Sequence, residues 1–156
     1  MRFIPRDGSH YDAQRGIEQA LKTFLLEEFL AREIEAGRIE GPIGHHQGKL
    51  LLHGHCHQKA FDVVAPIVKV LGLVEGLETE IIETSCCGMA GAFGYQAETY
   101  AASMAMGELS LLPAVRKAAA GTLIAADGFS CRHQIADGTG REARHVARVL
   151  ADCLRA

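Results

Sequence analysis

Short apolar runs alternate with amphipathic stretches through most of this chain, and that alternation restricts the fold more than any other feature. Residues 49–53, 80–84 and 122–126 each read as a buried strand. Between and after them, residues 57–71, 96–109, 112–120 and 141–154 carry apolar positions at helical spacing. Phe61, Val64, Ile67, Val68 and Leu71 would share one face, as would Ala143, Val146, Ala147, Leu150 and Leu154. Strands separated by helices pair in parallel through right-handed crossovers. The expected fold is therefore α/β: an open, Rossmann-like, mostly parallel sheet of three to four strands with flanking helices, in one domain. Ahead of it, residues 17–36 predict another helix, with Gly37 as its C-terminal cap. Residues 41–48 read as a loop. Residues 1–18 are polar and turn-rich and are expected to be a flexible arm or truncated linker, with the domain covering 19–156.

A chain of 156 residues is long enough to bury a real core. A net charge of −3 and the absence of Trp give no basis for a nucleic-acid partner. No apolar run reaches the length of a membrane span, and the first residues carry no secretory signal. Five cysteines without such a signal point to a reducing, cytoplasmic setting, where metal binding or catalysis is favoured over disulfides.

Each predicted strand is followed by cysteine. Cys56 lies in His53-Gly54-His55-Cys56-His57-Gln58, Cys86 and Cys87 open a run with Gly88, Gly91 and Gly94, and Cys131 lies in Ser130-Cys131-Arg132-His133-Gln134. Ligands of open α/β sheets bind beyond the carboxyl ends of the strands, so four sulfurs distant in sequence are expected to meet at one edge. Thiolates are preferred ligands of iron–sulfur clusters, zinc and cuprous ion. The glycine spacing is not the G-x-G-x-x-G dinucleotide fingerprint; glycines here would let backbone N–H groups approach a cluster.

Three chemistries remain open at this point. Cys56, Cys86, Cys87 and Cys131 could hold a cluster, with His55, His57 and His133 nearby as ligands or hydrogen-bonding neighbours. The same residues could hold zinc, although no C-x₂₋₄-C knuckle is present. A metal-free thiol enzyme would explain Cys56 and Cys131 poorly. Cys153 follows the apolar stripe of the last helix and reads as a packed thiol, and His10, His45, His46 and His145 as surface residues.

Residues 53–60, 86–95 and 127–135 together resemble the cysteine-rich CCG domain. They look most like its C-terminal copy in glycolate oxidase iron–sulfur subunits and in FAD-linked oxidase/Fe–S oxidoreductase fusions, and more distantly like the CCG-bearing component of heterodisulfide reductase. The resemblance implies a [4Fe–4S] cluster on Cys56, Cys86, Cys87 and Cys131, with zinc in some domains of the type. It further implies partners carrying FAD and ferredoxin-type clusters, within a flavin-linked dehydrogenase of glycolate, D-lactate or a similar 2-hydroxyacid. Electrons would pass on to an acceptor such as quinone, with peripheral association with a quinone-linked complex as one arrangement. The last cysteine of the family's CxxC falls on Gln134, which argues against a five-cysteine non-cubane cluster. Without the upstream modules the chain looks like a final module, either a fragment or a separate small subunit.

Overall fold

The computed structural model describes residues 23–84 and 86–154; the expected arm and the boundary at residue 18 lie outside them. Helix α1 (Leu26–Glu35) leads into strand β1 (Gly44–His53), and two short helices follow, α2 (Cys56–Ala60) and α3 (Val64–Leu71). Strand β2 (Val74–Ile81) comes next, then a 3₁₀ turn at Phe93–Tyr95 and helices α4 (Ala97–Glu108) and α5 (Leu111–Lys117). Strand β3 (Leu123–Ala126) precedes α6 (Phe129–Thr139) and α7 (Val146–Cys153). No helix among the described residues is long and apolar enough to cross a membrane.

The three strands form one open parallel sheet in the order β2-β1-β3, which is the expected class. Central β1 is covered on both faces. Leu50 and Leu52 pack against Ile67, Val70 and Leu71 of α3 and Val146, Val149 and Leu150 of α7. Leu51 points the other way, toward Leu111, Leu112 and Val115 of α5 and Ile135 of α6. A strand buried on both faces can be apolar at every position, which is why the Leu50-Leu51-Leu52 run stood out.

Several boundaries differ from the sequence expectation, each for a physical reason. The helix expected over 57–71 breaks at Asp62, whose φ is +56°. A continuous helix would drive the ring of Pro66 into the Asp62 carbonyl; with the break, Pro66 sits in the first turn of α3, where it is tolerated. The second strand is Val74–Ile81 instead of 80–84. Pairing of Leu50 with Thr79 and of Leu52 with Ile81 fixes its register. The loop expected over 41–48 supplies the start of β1, with the register slipping between His45 and Gly48. Gly76 stands opposite that irregularity at φ +80°, and a Cβ there would sit 2.8 Å from Gln47 Oε1.

The final helix begins at Val146 instead of 141 because Arg144 continues the sheet: its amide donates to Ile124 O and its carbonyl accepts from Ala126 N, both at 2.9 Å. Helix α6 has no counterpart in the expected elements. Gly37 fulfils its expected role at φ +66° just past α1.

Candidate metal centre

The turns leaving β1, β2 and β3 deliver the cysteines to one edge of the sheet. Cys56 is the first residue of α2, Cys86 and Cys87 lie on the segment after β2, and Cys131 is in the first turn of α6. Helix α4 starts at Ala97, close to the expected position, so Cys86 and Cys87 lie on the segment that precedes it.

Cys87 and Cys131 are buried, whereas Cys56 and Cys86 are partly exposed. The Sγ–H of Cys131 donates to Cys87 Sγ at 3.3 Å. That proton pulls the pKa of Cys87 down, against the effect of burial, and neighbouring His53 acts in the same direction. The same hydrogen bond, together with burial, holds Cys131 well above the ordinary thiol range, and Cys87, Cys56 and Cys86 all add to the rise. The close contact is between Cys87 and Cys131; Cys56 and Cys86 contribute no donor atom to the group within 4.8 Å. Burial raises Cys86 as well, opposed by the Gly88 amide, which donates to its sulfur at 3.4 Å.

His53 was not singled out from sequence, because it reads as the polar end of a strand. It is 1% exposed, its Nδ1 is 3.0 Å from Thr84 Oγ1, and its Nε2 has no hydrogen-bond partner among the described residues. Donor atoms of His53, Cys87 and Cys131 lie within 4.8 Å of one another. A buried imidazole whose nitrogen faces two sulfurs is what a metal-ready site presents.

Lys59 was likewise missed. Its ammonium donates to both the carbonyl and the hydroxyl of Thr84. Burial lowers its pKa, while Cys131, Cys56 and Cys86 raise it. A cation among thiols offsets the negative charge that ligating thiolates bring.

The expected histidines differ in position. His55 caps α2, its Nδ1 accepting from the His57 amide at 3.2 Å. It leans over Gly128, where a Cβ would lie 2.8 Å from Cys131 Sγ and would collide with the His55 ring. Burial, then His57, lowers the His55 pKa. His57 is exposed and meets the His55 ring edge-on at 5.0 Å. His133 is exposed on α6, with Nδ1 2.9 Å from the Tyr95 hydroxyl and its ring 4.2 Å from that of Phe129. Gly88 and Gly94 pack close to Ser103 of α4, whereas a Cβ at Gly91 would meet nothing within 4 Å. Gln134, where the family pattern has its last cysteine, is buried and donates to Ser103 O at 3.0 Å. Cys153 packs away from the site, in the cluster with Leu50 and Leu52.

Gln58 locks two of the turns together. Its Oε1 accepts from the His55 amide at 2.9 Å and its Nε2 donates to Asp127 Oδ2 at 2.7 Å. A buried hydrogen bond to a charged group contributes about 1.5–3 kcal/mol. Gln58→Ala is therefore expected to lower the unfolding free energy by about that amount, read as a shifted urea midpoint with an unchanged slope.

Fold and site together describe a small parallel α/β domain with four cysteines at the carboxyl edge of its sheet. The chain is similar to stretches of two dehydrogenases and of one dehydrogenase subunit. The chain is 28% identical over 130 residues to one subunit of the anaerobic glycerol-3-phosphate dehydrogenase of Escherichia coli K12, covering 83% of this chain and 32% of that protein. It is 27% identical over 132 residues to D-2-hydroxyglutarate dehydrogenase of the same strain, covering 84% of this chain and 13% of that protein. The Pantoea ananatis D-2-hydroxyglutarate dehydrogenase is 33% identical over 79 residues, 51% of this chain and 8% of that protein. The chain thus spans a third or less of each of these relatives. No family model and no solved structure matches it.

Proposed function

We propose that this chain is the iron–sulfur electron-transfer module of a flavin-linked dehydrogenase acting on a 2-hydroxyacid or a related small hydroxy compound. The observation that supports the reading is that segments following all three strands carry Cys56, Cys86, Cys87 and Cys131 to one edge of the sheet, where the Cys87 and Cys131 sulfurs lie 3.3 Å apart beside His53. Similarity to portions of two dehydrogenases named for a glycerol phosphate and a 2-hydroxyacid supports the redox setting. The donor set fits: four thiols and an unpartnered imidazole nitrogen suit a soft metal. Bound there, a [4Fe–4S] cluster supplies one-electron transfer.

The chain's own residues have separable tasks in this reading. The four cysteines hold the metal, and Lys59 balances their charge while fixing the Thr84 segment. His55, at the start of α2, and the exposed His57 flank Cys56 on the solvent side. His133 tunes the outer side of α6 through Tyr95. The flavin, the ferredoxin-type clusters and the substrate site belong to partner domains or chains.

A second reading has its own observation. The 3.3 Å separation of the Cys87 and Cys131 sulfurs is near the edge of about 3.8 Å expected for two thiolates on one zinc at 2.3 Å, with His53 as a third donor. That arrangement suits a structural zinc. Anaerobic reconstitution with iron and sulfide separates the two. The electron-transfer reading expects a brown protein with about four irons and four acid-labile sulfides per chain. A colourless chain that takes up one zinc and no iron overturns it.

A further inference from the structure

Beside the cysteine site lies a second convergence of donors, none of it sulfur. Glu27, in the first turn of α1, is 3% exposed, and its Oε1 has no hydrogen-bond partner among the described residues. Donor atoms of Glu27, Asp127 and His145 lie within 4.8 Å of one another.

Asp127 is held firmly. Its Oδ1 accepts from the Val146 amide at 2.9 Å, and its Oδ2 accepts from Gln58. His145 caps α7, its Nδ1 accepting from the Ala147 amide at 3.1 Å while lying 3.4 Å from Asp127 Oδ1. Among the described residues Glu27 Oε1 meets no donor, and a cation would compete with the Ala147 amide for the His145 Nδ1 lone pair. An uncompensated buried carboxylate is costly. Burial is the leading cause that raises the Glu27 pKa, and Asp127 raises it further. A positive centre among the three groups would reverse both effects.

We propose that Glu27, Asp127 and His145 form a divalent-cation site of the zinc–manganese class, separate from the cysteine centre. Two carboxylates and one imidazole are donors suited to such ions, and two negative charges neutralise a dication. All three residues line a cavity of about 850 Å³ that His55 and His57 also line. Coordination positions not filled by protein would open into that cavity. The proposal is independent of what the cysteines hold.

Mn²⁺ is the probe, because carboxylate and imidazole suit it and thiolate does not. The full chain is titrated anaerobically with Mn²⁺ and the free ion followed by electron paramagnetic resonance, with and without iron and sulfide. One equivalent is expected to bind, with at least tenfold weaker binding in Glu27→Gln and no change in Glu75→Gln, an exposed control on β2. Paramagnetic broadening of backbone amides in the wild-type chain is expected to centre on Glu27, Asp127 and Val146, a readout that requires no variant to fold. Binding undiminished in a folded Glu27→Gln, no binding at all, or broadening centred elsewhere overturns the site. Failure to take up iron would sink the electron-transfer reading and leave these outcomes untouched.

Discussion

Cys87→Ser is expected to remove iron and sulfide from the reconstituted chain, whereas Cys153→Ser should leave both in place. Cys87 is buried, and it is the sulfur toward which the Cys131 proton and the His53 imidazole both work, so it is the thiol most ready to ligate. Loss of residues that merely support a ligand typically costs about 10–100-fold in metal affinity; losing a ligand should cost at least that. Serine keeps the size of the side chain but gives up the soft donor. Cys153 is equally buried, but it packs among Leu50, Leu52 and Val149 on the opposite face of the sheet. Iron and acid-labile sulfide assays on the two variants, with circular dichroism to check folding, provide the comparison. Full cluster loading in a folded Cys87→Ser chain would refute this assignment.

Gly88→Ala should be the most damaging single methyl addition in the molecule. Gly88 has φ +96°, where an L side chain is strained, and its Cβ would collide with the Ser103 carbonyl and lie 3.1 Å from Gln134 Nε2. Backbone strain of this kind costs about 1–3 kcal/mol, and overpacking adds about 1–3 kcal/mol. The expected loss is therefore about 2–6 kcal/mol, a large share of the roughly 5–15 kcal/mol typical of a domain. Relief requires the segment to move away from α4, which carries Cys86 and Cys87 with it. Gly91→Ala is the internal comparison: φ is +69°, but nothing lies within 4 Å, so only the conformational cost applies. Urea unfolding should rank wild type above Gly91→Ala and Gly91→Ala well above Gly88→Ala. Equal midpoints for the two variants would show that the Ser103 contact is not limiting.

What sequence revealed depended on whether each element's burial left a pattern. Strand β1 was evident because both its faces are covered. Strand β2 lies at the sheet edge, and Glu75, Glu78 and Glu80 disguised it, so Ile81 and Ile82 drew the expectation toward its end. Pro66 marked the break between α2 and α3, but the apolar positions on either side kept a common helical phase and concealed it. Helix α6 anchors itself through Cys131, Gln134 and Ile135 only, too few positions to make a stripe. The cysteines were legible because side-chain chemistry survives without coordinates. His53 and Lys59 were not: one looks like a strand end and the other like surface, and only folding brings both to the sulfurs. In the Glu27–Asp127–His145 group Glu27 stands 100 positions from Asp127, and no spacing rule announces it.

The four cysteines come from segments after β1, β2 and β3, and no single segment supplies more than two of them. The full set therefore exists only once all three strands have docked in register. A metal held there would act as a clasp across two long chain closures, and its free energy of ligation would add to that of folding. Metal content would then double as a gauge of how much of the chain has reached its native topology, and a chelator would loosen three distant stretches of backbone at once.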